Sequence, residues 1–137
     1  MSAARGRRLA SPPMSTDPRH HLGRLGERLA VVHLERLGYE IVARNHRTRF
    51  GELDVIACDG RVIAFCEVKT RRAGGAAGTP FDAVAPPKQR QVRRMAAAWL
   101  TDTLERPHAD DLRFDVIAVT VDARGRLRAL DHLEGAF

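Results

Sequence analysis

A chain of 137 residues is long enough to bury one hydrophobic core and short for two, so a single globular unit is expected. Of the formal net charge of +6, the first twenty residues hold +3 through Arg5, Arg7, Arg8 and Arg19 against Asp17; the remaining body is only modestly basic, which permits polyanion binding without demanding it. No apolar run reaches the ~18 residues of a membrane span, no apolar stretch of a secretory signal follows the N-terminal arginines, and two cysteines suit a reducing compartment, so no membrane partner and a cytoplasmic location are expected.

Residues 1–20, rich in Arg, Ser, Ala and Pro, read as a disordered basic extension, with Met14 an alternative start and 21–137 the single domain. From Leu22 to Leu37 the apolar residues recur at helical spacing, and Gly38 supplies the stop. On that helix Glu27 sits beside Ala30, Val31 and Leu34 at the margin of the apolar stripe. It either points toward a sheet or simply favours the helix dipole. Tyr39 to Arg44 reads as a short strand.

Gly51-Glu52-Leu53-Asp54-Val55-Ile56 and Phe65-Cys66-Glu67-Val68-Lys69 alternate in polarity with period two and are joined through Asp59-Gly60, the pair that signals a type I′ hairpin. With a two-residue turn Cys58 would pair with Arg61, Asp54 would face Phe65 and Glu52 would face Glu67. Glu52, Asp54, Glu67 and Lys69 would then share one face. The same alternation puts Cys58 and Cys66 on opposite faces, which excludes a disulfide between them.

Arg71 to Ala85 carries Gly74, Gly75, Gly78 and Pro80 among alanines, longer than an ordinary connection and of the kind often used functionally, with Phe81 as its anchor. Pro86-Pro87 opens a second helix with a buried stripe of Val92, Met95, Ala96, Trp99 and Thr103, ending near Pro107. Leu112 to Val121 has the near-continuous apolar run of a strand covered on both faces, and Arg126 to His132 alternates as an edge strand. The order αβββαββ, with a helical crossover before the fourth strand, implies an α/β fold: a mixed five-stranded sheet flanked by helices, strands three and four parallel.

Like charges set against each other across strands destabilise a sheet, so the carboxylates of the hairpin call for a cation between them. Magnesium, or manganese, takes oxygen ligands, which Asp54, Glu67 and the Val68 carbonyl could supply. Glu67 and Lys69, two apart on one strand, have Cα atoms roughly 6 to 7 Å apart. The carboxylate could hold metal while the ammonium addresses a water; lysine can exchange a proton where arginine cannot. Phosphodiester hydrolysis is the matching reaction class. The ordinary alternative is a solvated hairpin on which Lys69 offsets Glu52 and Glu67 in a weak exposed network.

Lys88, Gln89 and Arg90 open the second helix, where cations are mildly unfavourable unless an anion such as phosphate offsets them. Arg93 and Arg94 read as a solvated basic face. The histidines, including His33, His46 and His132, read as structural or surface groups, and Asp115 as a buried residue satisfied by hydrogen bonds.

Gly26-Glu27-x-x-Ala30, Gly51-Glu52-Leu53-Asp54-Val55-Ile56, Glu67-Val68-Lys69-Thr70-Arg71, Lys88-Gln89-Arg90 and the ending Glu134-Gly135-Ala136-Phe137 resemble the YraN-like (UPF0102) family of uncharacterised bacterial proteins, over about residues 22 to 137. That family resembles the restriction-endonuclease-like PD-(D/E)xK superfamily and is similar in core motifs to archaeal Holliday junction resolvases. The resemblance implies Asp54, Glu67 and Lys69 at the catalytic positions, with Glu27 and Glu52 as additional acidic candidates and Arg71, Lys88, Gln89 and Arg90 on the nucleic-acid side. Leu53 stands where the superfamily motif has proline. The expected activity is metal-dependent hydrolysis of DNA, with branched or otherwise structured DNA as the narrower candidate substrate, for which a homodimer would suit paired incisions. The alternative is a non-catalytic nucleic-acid-binding accessory protein on the same fold.

Overall fold

In the computed structural model, residues 18–75 and 84–137 are described. The expected extension falls largely outside them, as does the part of the glycine loop with Gly78, Pro80 and Phe81. The elements run α1 (Pro18–Arg36), β1 (Glu40–Thr48), β2 (Gly51–Cys58), β3 (Val62–Arg72), α2 (Pro86–Asp102), β4 (Asp111–Val121) and β5 (Leu127–Leu133). The sheet has five strands in the order β1-β2-β3-β4-β5. Pairs are antiparallel except β3 with β4, which the crossover through α2 makes parallel. The expected αβββαββ order and mixed sheet are therefore the observed ones.

Alternation along the strands sends residues to two cores. Val55, Ala57, Ala64, Cys66, Ile117 and Val119 meet Ala30, Val31 and Leu34 of α1. Leu53, Ile56, Ile63 and Phe65 meet Val92, Met95, Ala96 and Trp99 of α2, with the Trp99 ring edge-on to Phe65 at 5.8 Å. Cys66 lies in the first core and Cys58 in the second, both free. The α2 stripe is as expected up to Trp99. Thr103 follows the helix as its C-cap, and its amide closes the last turn on the Trp99 carbonyl.

Several boundaries differ from the sequence reading: α2 ends at Asp102, short of Pro107, and β3 runs on to Arg72, past the expected start of the glycine loop at Arg71. Helix α1 begins at Pro18, four residues before the first periodic leucine, because a proline is well placed in a first turn that needs no apolar contact. Strand β1 continues to Thr48 through the polar segment Asn45 to Thr48, paired with β2 out to Thr48↔Gly51. The stop at Gly38 is a Schellman motif: Gly38, at φ +97°, lets the Tyr39 amide reach the Leu34 carbonyl at 3.0 Å and its own amide reach Glu35 at 3.0 Å.

Gly26 fixes how closely α1 lies on β3. A Cβ there would come within 2.7 Å of Thr70 Cβ and Cγ2, and nearer still to the hydroxyl. Since the Thr70 Cβ cannot swing aside, Gly26→Ala is expected to lift the helix and cost about 1–3 kcal/mol. Chemical denaturation reads this directly, and Thr70→Gly in the same chain is expected to restore much of the loss. A Gly26→Ala midpoint equal to that of the unaltered protein refutes the close approach.

Candidate metal centre and its basic surroundings

The β2–β3 hairpin does not turn through two residues. Asp59 Oδ1 accepts hydrogen bonds from the Arg61 and Val62 amides, each at 2.9 Å, so the aspartate side chain organises a four-residue loop and Cys58 pairs with Ile63. A shift of two residues leaves the alternation unchanged but moves the acids. The last ladder pair toward the site is Val55↔Cys66, and one residue beyond it Asp54, rather than Glu52, is level with Glu67. There the ladder ends, and Asp54 Oδ2 takes the Val68 amide hydrogen at 2.9 Å in place of a backbone carbonyl.

The four groups expected on one face are divided. Glu52 and Asp54 meet Glu27, which α1 delivers from its own layer; one carboxylate oxygen from each lies within 4.8 Å of the others. Glu67, 5 % exposed, turns to the α2 layer, where its Oε2 lies 3.3 Å from Lys69 Nζ and 3.5 Å from Lys88 Nζ. Asp54 stands between the groups. Burial, then the charge of Glu67 and, less strongly, that of Glu27 push its carboxyl up to about 7, against the opposing Val68 hydrogen bond and the Lys88 charge.

Two arginines and an asparagine frame the acids. Arg24 Nη1 is 3.1 Å from Glu27 Oε1 and 4.0 Å from Glu52 Oε1, and Arg47 Nη2 is 3.9 Å from Glu52 Oε2. Asn45 Nδ2 donates to Glu27 Oε1 at 2.8 Å from a left-handed backbone, φ +49°. A non-glycine residue held there at a cluster of charges is the kind of local strain found at functional sites. Every carboxylate here offers hard oxygen donors, and an oxygen-seeking divalent cation fits that donor set. It would also offset the mutual repulsion of these carboxylates.

Residues 26–119 match the sequence model of the uncharacterised protein family UPF0102. The chain belongs to this family. A UPF0102 protein of Geobacter sulfurreducens is 48 % identical over 122 residues, covering 86 % of this chain and 91 % of the relative. Those of Acidothermus cellulolyticus and Chlorobium chlorochromatii are each 44 % identical, over 127 and 131 residues, covering 87 % and 93 % of this chain and 95 % and 96 % of the relatives. The match includes Glu27, Glu52, Asp54, Glu67, Lys69 and Lys88, so the whole acidic group lies inside the UPF0102 region.

The basic candidates in this UPF0102 chain separate by position. Lys88 belongs to the site through Glu67. Gln89 caps locally, its Nε2 donating to the Val84 carbonyl at 3.1 Å. Arg71 is exposed near the end of β3, and Arg90 is exposed on α2 beside Phe50, Gln91 and Arg94. Arg93 lies over the Phe114 ring at 4.7 Å and the Phe137 ring at 5.8 Å. The helical wheel puts Arg24 with Arg28 and Glu35 on the outer face of α1, but its guanidinium turns to Glu27 and Glu52; the polar run Asn45-His46-Arg47 carries no periodic signal, and only pairing with β2 brings it to the acids.

Crowded carboxylates oppose folding when no cation is present. Asp54→Asn keeps an acceptor for the Val68 amide and removes the charge. Measured in chelator at pH 8, its melting temperature is expected to rise by a few degrees, about 1 kcal/mol. A fall in melting temperature contradicts the electrostatic account of the cluster.

Proposed function

We propose that this UPF0102 protein is a metal-dependent nuclease that hydrolyses phosphodiester bonds, with DNA, including branched DNA, as its substrate. One observation carries the reading: the raised carboxyl of Asp54 lies between an acidic cluster, Glu27 with Glu52, and the buried Glu67 flanked by two lysines. Asp54 and Glu67, with Glu27 and Glu52 on the α1 side, are the groups that would hold magnesium or manganese. When bound, such an ion supplies Lewis acidity to a phosphoryl oxygen and lowers the pKa of a water.

The chain's own residues do the rest. Lys69, fixed beside Glu67, orients the attacking water and exchanges its proton. Lys88, from the opposite layer, offsets the charge that builds on the phosphoryl oxygens. Arg24 and Arg47 hold Glu27 and Glu52 in place. Asn45 fixes the Glu27 carboxylate by its hydrogen bond.

The same ion pairs favour a second reading. Glu67 is already paired with two ammonium groups and Glu27 with a guanidinium, so both charges are offset without a bound cation, as an accessory nucleic-acid-binding protein would allow. One experiment separates the two. The purified protein is incubated with duplex, single-stranded and four-way-junction DNA in magnesium and in manganese, with Glu67→Gln alongside. Cleavage by the unaltered protein, absent with chelator and in Glu67→Gln, supports hydrolysis. Binding with no cleavage in either metal ion supports the accessory reading.

A further inference from the structure

Beside the acidic cluster, the turn between β1 and β2 and the exposed side of α2 enclose a groove of about 810 Å3. Arg47, Arg49 and Arg94 line it, against Asp102 as its carboxylate, and a smaller pocket that shares Phe50 and Arg94 reaches Arg90. Phe50 lines both parts, with the Arg49 guanidinium 4.9 Å and the Arg94 guanidinium 6.0 Å from the ring centroid. Ala97 and Ala98 form much of the facing wall and leave room for a backbone to come close.

The turn that presents Phe50 is built rather than loose. Thr48 Oγ1 donates to the Gly51 carbonyl at 2.9 Å and accepts from the Phe50 amide at 3.0 Å, while Gln91 Nε2 of α2 donates to the Phe50 carbonyl at 2.7 Å. The backbone of Phe50 is thus held by both walls of the groove, and its half-buried side chain packs at the edge of the α2-side core. Arginines converging on a pre-set aromatic form the pattern that takes a single-stranded nucleic acid, with phosphates on the guanidinium groups and a base stacked on the ring and its overlying guanidinium. A duplex keeps its base faces stacked inside and offers nothing to a ring in a groove. Arg47 links this groove to the acids, since it pairs across the strands with Glu52 and its guanidinium lies 3.9 Å from that carboxylate.

We propose that this groove binds an unpaired nucleic-acid strand, its phosphates on Arg47, Arg49, Arg90 and Arg94 and one base on Phe50. The strand then runs toward Glu52 and Asp54. The proposal rests on the nuclease reading only for that direction, and it makes a substrate with an unpaired segment the preferred one.

Binding is measured with the full chain in chelator, where hydrolysis is silent, using fluorescently labelled dT20, U20 and a blunt 20-base-pair duplex. The unaltered protein is expected to bind dT20, U20 or both more tightly than the duplex, and the difference between the two strands decides DNA or RNA. Phe50→Ala is expected to weaken single-strand binding roughly 5- to 100-fold. Arg94→Glu is expected to weaken it as well and to flatten its salt dependence. Phe50→Trp keeps the binding, and its added emission is quenched by the bound strand. Because Trp retains the ring, it separates stacking from any disturbance of the turn in Phe50→Ala.

Equal or tighter binding of the blunt duplex, or single-strand binding unchanged in both Phe50→Ala and Arg94→Glu, overturns the proposal. So does the absence of any binding. Single-strand binding that needs Phe50, without cleavage in any metal ion, leaves the groove standing and removes the hydrolytic reading alone. Cleavage that is lost in Glu67→Gln yet unchanged in Phe50→Ala does the reverse.

Discussion

Asp115→Ala is expected to remove about 3–5 kcal/mol of stability and to lower the melting temperature by roughly 10–20 °C. Asp115 is fully buried and accepts four hydrogen bonds: from Arg113 Nε and Nη2, both at 2.8 Å, from His132 Nε2 at 2.8 Å and from the Gly135 amide at 3.1 Å. Alanine leaves the Arg113 charge and the His132 ring without their acceptor in a poorly solvated place. The network extends at both ends. Arg113 Nη2 also donates to the Tyr39 hydroxyl at 2.6 Å, and His132 Nδ1 is 3.0 Å from His33 Nε2. Since an ionised carboxylate can only accept, His132 Nε2 carries the hydrogen toward Asp115.

This network also sets the acid limb of stability. Burial alone raises the Asp115 carboxyl, but the hydrogen bonds from His132, Arg113 and the Gly135 amide outweigh it and hold the group at about 2, below its ordinary 3.8. In that window the unfolded chain binds the proton more readily, so stability rises with pH. The contribution, roughly 2 kcal/mol, is present above about pH 4 and lost as the pH falls toward 2. His33 acts earlier: burial and then the charge of His132 lower its pKa, so the unfolded chain protonates first as the pH drops through 6.5, and stability begins to fall there. Denaturation midpoints from pH 8 to 2 test both. An Asp115→Ala midpoint near that of the unaltered protein, or an unchanged acid limb below pH 4, refutes this account.

Under the hydrolysis proposed above, Lys69→Ala is expected to lower metal-dependent cleavage by 10²- to 10⁴-fold, the range for a positioned proton-transfer group. The fold should notice little, because Lys69 is about one-third exposed and its ion pair with Glu67 is partly screened. Lys69→Arg divides the roles of charge and proton. Guanidinium keeps the charge beside Glu67 but does not deprotonate, so an arginine variant as slow as alanine assigns proton transfer, whereas one near the unaltered rate assigns charge alone. Lys69→Ala cleaving at the unaltered rate removes Lys69 from the chemistry.

Periodicity was enough to read α2, β4 and the alternation of β2 and β3, because each buries a regular face. Glu27 at the margin of the α1 stripe was legible in the same way, as was Asp115, an acid in an apolar strand. The hairpin register was not, since Asp59 folds its own side chain onto two amides and lengthens the turn. That local choice decides whether Glu52 or Asp54 lies level with Glu67. The His33–His132 contact spans 99 positions and the Phe50 groove joins a turn to a helix more than forty residues away, juxtapositions that depend on tertiary packing and leave no trace in spacing.

The strands carry Glu52, Asp54, Glu67 and Lys69 on one contiguous meander, while Glu27 and Lys88 arrive on helices that clasp the sheet from opposite sides. The polar centre is therefore complete only when all three layers are seated. Peeling away α1 withdraws the Glu27 carboxylate together with its Arg24 partner, whereas peeling away α2 withdraws the Lys88 ammonium and leaves Glu67 with Lys69 alone. A chain caught partway through assembly holds its acids and bases apart and has no finished centre to present to a strand.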